Sequence, residues 1–206
     1  MYHCVKRFID FVFSLLGIIL LSPLFILLSI LIWTNMGYPI IFKQKRVGRN
    51  RKEFNLYKFR TMTSEKNYDG LLLPDNKRLT LLGKFLRSTS LDELPELLNI
   101  LKGEMSIIGP RPLLPENMPY FFSYEMVRFD VFPGLIPPEI LYGNVFPTWD
   151  EQLGYEASYA KNYSFLLDIK IFFSVFSGLL LRDRNNYGSY ERKPLSEDRA
   201  NSMREL

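Results

Sequence analysis

The longest apolar stretch of the chain covers residues 11–42, which contain no charged side chain. This exceeds the roughly 20 residues that a helix needs to cross a bilayer. Ser22 and Pro23 interrupt the stretch, and a proline there removes a backbone hydrogen bond and kinks a helix. Basic residues flank both ends, which the positive-inside rule places on the cytoplasmic side. Because proline also occurs in spanning helices, a single spanning helix and a re-entrant hairpin of two helices both stay open.

A short β-hairpin is predicted for residues 40–62. Phe54 and Leu56 alternate with polar residues, and Gly-Arg-Asn at residues 48–50 is typical of a turn. The basic positions at residues 43–52 are interpreted as a solvated face that binds anionic headgroups, each charge contributing about 1 kcal/mol near the surface. The basic residues of the hairpin segment are Lys43, Lys45, Arg46, Arg49, Arg51, Lys52, Lys58 and Arg60.

A helix is predicted next, because leucines recur at i, i+3, i+4 and i+7 and Gly103 follows as a stop. Pro95 fits a first turn, so Asp92 and Glu93 lie at the helix start. The structural interpretation is that the helix dipole favours acids there and that Ser90 and Glu93 form a capping box. The chemical alternative is that one carboxylate attacks a phosphoryl centre while the other binds a metal. The leucines are Leu94, Leu97, Leu98 and Leu101.

The second half of the chain is predicted to be mainly helical. We expect a helix with an aromatic cluster at residues 113–131 and another helix at 149–163. Residues 164–181 are too evenly apolar for a water-exposed helix, so we expect them to lie partly in the core and partly in a bilayer interface. Residues 183–206 are charged and poor in apolar side chains, which predicts a disordered or loosely helical tail.

Composition narrows the chemistry. The chain has 206 residues and a formal net charge of +4, which indicates one domain with appendages and an anionic partner such as phosphate, nucleotide, nucleic acid or lipid. Its single cysteine, Cys4, excludes an internal disulfide and a cysteine-rich zinc site. Its single histidine, His3, lies at the terminus, which disfavours imidazole chemistry. Carboxylates, lysines, arginines and a divalent ion are therefore the candidate catalytic groups.

The segment SLDELPELLNILKGEMSIIGPRP at residues 90–112 resembles the signature of the bacterial sugar transferases, the small monotopic phosphoglycosyl transferases. KRFID near the N-terminus, QKRVG at 44–48, YKFRTM at 57–62 and NYSFLLDIKI at 162–171 resemble further parts of the same pattern. The resemblance extends to about residue 180. Family members of this size use a re-entrant anchor, so the resemblance favours that topology.

The resemblance implies an α+β, mostly helical fold, with a single catalytic domain that contains a short β-hairpin, an N-terminal re-entrant (helix-break-helix) membrane anchor and interfacial amphipathic helices. We expect residues 1–40 to be the anchor, 41–182 the catalytic domain and 183–206 the charged tail. The implied reaction moves a sugar-1-phosphate from a UDP-sugar to polyprenyl (undecaprenyl) phosphate, releasing UMP through an aspartyl-phosphosugar intermediate. The implied location is the cytoplasmic leaflet of a bacterial inner membrane, with the catalytic domain facing the cytoplasm. Nucleic acid is not an expected partner, and a homodimer is left open.

The resemblance also implies the site residues. Asp92 is expected to be the nucleophile and Glu93 the second catalytic carboxylate, and both are expected to hold Mg²⁺. Guanidinium groups suit diphosphate because their fork pairs with phosphate oxygens. The expected substrate-binding residues are Lys58, Arg60, Arg87 and Arg111.

The chain departs from the family pattern at residues 132–145. Phe132 replaces an arginine before Pro-Gly, and Ile136-Pro137 replaces Thr-Gly. Glu139 is a candidate to compensate for the lost charges. The departure motivates one alternative to an active transferase, a catalytically impaired relative that acts as a membrane-associated binding or scaffold protein. A second alternative, which ignores the resemblance, is a basic membrane-surface module for anionic lipid or nucleic acid.

Overall fold

The structure is a computed structural model that describes residues 2–143, 147–181 and 192–200. It is mostly helical, with two small two-stranded sheets. The helices are α1 (Tyr2–Leu20), α2 (Ser22–Met36), α3 (Asp75–Arg78), α4 (Leu81–Ser88), α5 (Glu96–Lys102), α6 (Trp149–Asn162), α7 (Phe165–Leu181) and α8 (Leu195–Asp198). The strands are β1 (Ile41–Val47), β2 (Glu53–Phe59), β3 (Ser106–Ile108) and β4 (Gly134–Ile136). The expected mostly helical fold with a short β-hairpin is confirmed.

The apolar N-terminal stretch forms two helices, as its Ser-Pro sequence predicts. Helices α1 and α2 are separated by Leu21 alone, and their axes differ by 62°. Pro23 lies at the start of α2, where a missing N–H costs little. Among the described residues, no single helix has the length and apolar character for a membrane span, whereas this bent pair together meets those limits.

Both ends of this bent pair are attached to the same folded unit. Near the start of α1, Arg7 donates a hydrogen bond to the carbonyl oxygen of Met105 at 2.9 Å. Beyond the end of α2, Arg60 donates to the carbonyl oxygens of Met36 and Tyr38 at 3.1 and 2.8 Å. Both ends of the bent pair are therefore held by the same folded unit.

The predicted hairpin and the helix after it are present, with one correction. Strands β1 and β2 pair antiparallel. Asp92 and Glu93 lie in a 3₁₀ turn just before α5, and Gly103 ends α5 with a left-handed φ of 88°. The predicted capping box is wrong, because Ser90 adopts a left-handed conformation (φ 57°) and its side chain makes no capping bond.

Helix α5 attaches to the hairpin through polar residues as well as leucines. Its buried residues are Glu96, Asn99 and Ile100. Of the leucines, Leu97 is half-buried and packs in the same apolar cluster as Leu56 of β2. The Asn99 amide accepts a bond from Tyr57 N at 3.0 Å and donates to Asn55 O at 2.7 Å. It thus satisfies the free edge of β2 much as a neighbouring strand would.

The expected helix at residues 113–131 is wrong in type. The segment forms two 3₁₀ helices, Pro115–Tyr120 and Ser123–Asp130. Pro119 lies inside the first of them, and proline lacks the N–H that an α-helix interior needs. The aromatic cluster does pack, since Phe121 and Phe129 are buried and meet edge to face at 5.4 Å.

Helix α7 has two unlike faces. Ile171 and Asp168 are buried, and Asp168 accepts hydrogen bonds from Lys6 of α1 at 2.5 Å and from the Tyr159 hydroxyl at 2.6 Å. The expected helix and its partial burial are confirmed. The other face is exposed and apolar, and consists of Phe165, Leu166, Ile169, Phe172 and Phe173.

Of the two alternatives for the charged tail, disorder is wrong for residues 192–200, which contain the short helix α8. Leu195 of α8 is fully buried in an apolar cluster, and Arg199 forms a buried ion pair with Glu125 at 2.7 Å. A paired charge and a buried leucine explain why this charged segment folds back onto the domain. The other residues of the predicted tail lie outside the described residues.

We predict that Gly83→Ala destabilises the protein, because a Cβ at this position of α4 would lie 1.9 Å from the carbonyl oxygen of Thr61. Relief of that overlap must shift backbone, at a cost of about 1–3 kcal/mol. The matched control is Gly154→Ala in α6, where an added Cβ meets no described atom within 4 Å and helix propensity gains up to about 1 kcal/mol. Thermal unfolding in detergent measures both, and equal midpoints for the two variants would contradict the prediction.

Candidate active site

The site is organised around Lys58, which lies between two carboxylates at the end of the hairpin. Its Nζ is 2.7 Å from Glu93 Oε1 and 3.2 Å from Glu96 Oε1. Strand β2 supplies the lysine, while the 3₁₀ turn and α5 supply the two acids. Asp92 lies next to this pair and is 8% exposed. The structure therefore brings the predicted residues Lys58, Asp92 and Glu93 together and adds Glu96.

The protonation of this cluster is set by burial and by its own charges. Burial raises the pKa of Asp92, and Glu93 raises it further, while Lys58 opposes the shift. Burial would lower the pKa of Lys58, but the carboxylates beside it outweigh burial and the pKa is raised. Burial raises the pKa of Glu96 to about 7, against the opposing charge of Lys58. The lysine thus stays charged and keeps the adjacent carboxylates closer to their ionised forms.

Arg87 approaches Asp92 from the last turn of α4. Thr80 begins that helix, and its hydroxyl accepts a hydrogen bond from Gly83 N at 2.9 Å. Arg87 Nε donates to the Thr61 hydroxyl at 3.1 Å. Its positive charge acts on Asp92 and opposes the rise of the Asp92 pKa that burial causes. This predicted residue is therefore within electrostatic reach of the carboxylate cluster.

Arg111 reaches the same cluster from the Gly-Pro-Arg-Pro turn. Its backbone N–H donates to Glu156 Oε1 at 3.0 Å, and its Nε donates to Glu139 Oε1 at 2.8 Å. The side chain is 54% exposed, and it lies close enough to Glu93 for their charges to interact. An arginine held by its backbone and by one edge of its guanidinium keeps its remaining N–H groups for a ligand.

Glu156 anchors this turn from within α6. It is fully buried and receives Arg128 at 2.7 Å and the Gln152 amide at 2.9 Å, besides the Arg111 backbone N–H. A buried carboxylate with several donors is well compensated. It therefore acts here as a fixed support for the backbone of Arg111.

Arg60 occupies a different environment from the other predicted phosphate ligands. It is buried, and besides its bonds to Met36 and Tyr38 its Nε donates to Met62 O at 2.7 Å and its Nη2 to the Ser64 hydroxyl at 2.8 Å. These contacts join the end of α2 to the end of the hairpin. They give Arg60 a structural role, and phosphate binding by this residue stays a prediction.

Two further groups near the site were not predicted from sequence. Glu96 lies three residues after Glu93, a spacing that places side chains on one helical face and was an available signal.

Arg46 was assigned to a solvated basic face, but it is half-buried and donates to Pro112 O at 3.0 Å. Burial lowers the pKa of Arg46, and the charge of Glu96 opposes that shift. The headgroup interpretation is therefore wrong for Arg46.

Residues 132–143, where the chain departs from the family pattern, also make contacts near the site. The Phe132 ring lies between two guanidinium groups, 5.6 Å from Arg7 Cζ and 4.9 Å from Arg49 Cζ. It thereby joins the start of α1 to the turn of the hairpin. Glu139 is buried and pairs with Arg111, so the loop adds a negative charge at the site.

Asp92 and Glu93 are a donor set that fits Mg²⁺ with a substrate present. Within the described residues, no group of three or more His, Cys, Asp or Glu side chains is placed to hold a metal. Mg²⁺ is commonly held by one or two carboxylates together with substrate phosphates and water. Lys58 contacts Oε1 of Glu93, so the other oxygen of this carboxylate would be available to such an ion. Mg²⁺ binding itself stays a prediction.

A buried and a half-buried carboxylate beside a lysine and two arginines are suited to phosphoryl transfer. The family model "Bacterial sugar transferase" matches residues 1–182. The chain therefore belongs to the bacterial sugar transferase family, and it is a transferase.

Curated relatives cover most of this chain. An uncharacterized sugar transferase, EpsL, of Bacillus subtilis (strain 168) is 39% identical over 81% of this chain and 83% of its own length. The exopolysaccharide production protein ExoY of Sinorhizobium fredii (strain NBRC 101917 / NGR234) is 33% identical over 90% and 88%. The UDP-glucose:undecaprenyl-phosphate glucose-1-phosphate transferase of Klebsiella pneumoniae is 36% identical over 85% of this chain, but over only 40% of its own length.

We predict that Glu96 makes stability fall as pH rises. Its folded-state pKa of about 7 lies above the ordinary value of 4.5, so between these values the folded state binds the proton more tightly than the unfolded state. From about pH 5 to about pH 8 the unfolding free energy should fall by on the order of 2 kcal/mol, and Glu96→Gln should lack that component. Denaturation in detergent across this range measures it. The exposed Glu116→Gln serves as control, and an unchanged slope in Glu96→Gln would refute the assignment.

Proposed function

We propose that this protein is a membrane-bound phosphoglycosyl transferase that moves a sugar-1-phosphate from a UDP-sugar to polyprenyl phosphate and releases UMP. The observation that carries the proposal is the buried Asp92 next to the half-buried Glu93, beside Lys58 and with Arg87 and Arg111 in electrostatic reach. Relatives of this chain named for transfer to undecaprenyl phosphate support the acceptor, and one named for UDP-glucose supports the donor class. The reaction would be the first membrane step of a bacterial glycoconjugate pathway.

In the first step, a carboxylate oxygen of Asp92 attacks the β-phosphorus of the UDP-sugar. A bond forms between that oxygen and phosphorus, the bond to the bridging oxygen breaks, and UMP leaves with the electron pair. An aspartyl phosphosugar remains. A carboxylate nucleophile needs no general base, which suits a chain with one histidine at its terminus.

In the second step, an oxygen of polyprenyl phosphate attacks the same phosphorus. The acyl phosphate bond breaks, the Asp92 carboxylate is restored, and a polyprenyl diphosphate sugar is formed. Lys58 and Arg87 would stabilise the phosphoryl charges in both steps, because their positive groups are already held around Asp92. Arg111, within electrostatic reach of Glu93, would bind the donor diphosphate. Asp92 and Glu93 would hold Mg²⁺. When bound, that ion would neutralise diphosphate charge and stabilise the departing UMP.

We further propose that α1 and α2 form a re-entrant anchor in the cytoplasmic leaflet of a bacterial inner membrane, with the catalytic domain in the cytoplasm. The attachment of both ends of the pair to one domain supports this topology, since a spanning helix would separate them. The exposed apolar face of α7 supports contact with the bilayer interface. The anchor would bring the long acceptor lipid to Asp92 along the membrane.

We predict that Asp92→Asn abolishes UMP release, because an amide lacks the anionic oxygen that attacks phosphorus. The assay uses purified protein in detergent with Mg²⁺, undecaprenyl phosphate and a panel of UDP-sugars. Asp69→Asn, in an exposed loop, is the matched control and should retain full activity. No UMP from any donor with folded wild-type protein would instead favour the impaired relative that binds without catalysis.

We predict that both ends of the α1–α2 pair are labelled from the same side of the membrane. Cys4 is exposed near the start of α1 and is the single cysteine of the chain. Asn35→Cys in a Cys4→Ser background places an equivalent thiol near the end of α2, where Asn35 is exposed. A membrane-impermeant maleimide should label both in inside-out vesicles and neither in right-side-out vesicles. Opposite labelling of the two thiols would establish a spanning pair.

A further inference from the structure

Residues 192–200, here called the C-terminal strap, are attached to the start of α6. The Arg192 guanidinium lies 3.5 Å from the centre of the Trp149 ring, and Trp149 Nε1 donates to Lys193 O at 2.9 Å. Arg192 Nη1 also donates to Pro147 O at 2.9 Å. These contacts fix the first residues of the strap against the helix that carries Glu156.

The far end of the strap is fixed more deeply. Arg199 Nη1 and Nη2 each lie 2.7 Å from an oxygen of Glu125, and both side chains are buried. Leu195 is fully buried in the same apolar cluster as Leu113, two residues after Arg111. Bidentate pairing and burial make this a defined attachment rather than a loose surface contact.

A continuous hydrogen-bond relay links the strap to the Arg111 turn. Arg192 Nη2 donates to Gln152 Oε1 at 2.8 Å, and Gln152 Nε2 donates to Glu156 Oε1 at 2.9 Å. The same Oε1 atom accepts the Arg111 backbone N–H at 3.0 Å. The orientation of the Gln152 amide is thus set by Arg192, and it presents its N–H to the oxygen that holds Arg111.

We infer that the C-terminal strap positions Arg111 for the donor diphosphate, with Arg192 and Gln152 as positioning residues. The strap lies beyond residues 1–182, which the family model matches. Without the relay, Arg128 still neutralises Glu156, but Oε1 is no longer held toward Arg111. The inference rests on the proposed function only in the identity of the ligand that Arg111 binds.

The first test is amide hydrogen exchange in the full-length chain. Pro110 and Pro112 have no amide hydrogen, so the Arg111 amide is flanked by silent positions and can be followed in a short peptide. Gln152→Met and Arg192→Met should each speed exchange at Arg111 and leave the β1–β2 hairpin unchanged. Arg78→Met, which removes an arginine paired with Asp75 far along the chain from the relay, is the control.

The second test is steady-state kinetics on the same variants. Each should raise the KM for the UDP-sugar about fivefold, the effect of losing about one hydrogen bond, and leave the KM for undecaprenyl phosphate unchanged. The double variant should equal either single variant, because both break one relay. Arg192→Lys retains the charge over Trp149 and should recover part of the loss if Arg192→Met folds poorly.

The outcomes are separable. Faster Arg111 exchange with a raised donor KM supports the inference. Unchanged exchange at Arg111, additive effects in the double variant, or equal increases in both KM values overturn it. If the wild-type protein releases no UMP, only the proposed function is contradicted. Faster amide exchange at Arg111 in the variants would still support the positioning of Arg111 by the strap.

Discussion

The structure depends on one electrostatic constraint, the assembly of three carboxylates around Lys58. Asp92, Glu93 and Glu96 lie within one turn and the start of α5 and repel one another when ionised. Lys58 offsets that repulsion through short contacts to Glu93 and Glu96. This pairing requires strand β2 and helix α5 to be locked together, which Asn99 does by bonding to the free edge of the strand. Chemistry and stability therefore use the same contacts.

The elements around this cluster attach it to the bent pair of apolar helices, α1 and α2. Arg7 attaches α1 to the end of α5, and Arg60 attaches the end of α2 to the end of the hairpin. Both arginines donate hydrogen bonds to backbone carbonyl oxygens. A guanidinium group has several N–H donors, so it can satisfy carbonyl groups near helix ends that lack a partner within the helix. The apolar bend and the carboxylate cluster are thus parts of one rigid arrangement.

The described part of the loop that departs from the family pattern, residues 132–143, contacts the rest of the domain. Two guanidinium groups lie near the Phe132 ring, and Glu139 pairs with Arg111. Phe132 therefore packs where the family pattern has an arginine, and Glu139 adds a negative charge rather than restoring a positive one. Glu139 orients Arg111 from one edge, while Glu156 holds its backbone, so the turn is constrained from two directions.

The sequence by itself determined the features that depend on neighbours along the chain: the helix break at Pro23, the hairpin, the helix stop at Gly103, and the placement of Asp92 and Glu93 before a helix. Propensity and periodicity act over a few residues, so such features are readable locally. Only the tertiary structure decided which charges meet. It turned Arg60 and Arg46 inward, added Glu96 to the site, and folded residues 192–200 back onto the domain, because such contacts join residues far apart in sequence.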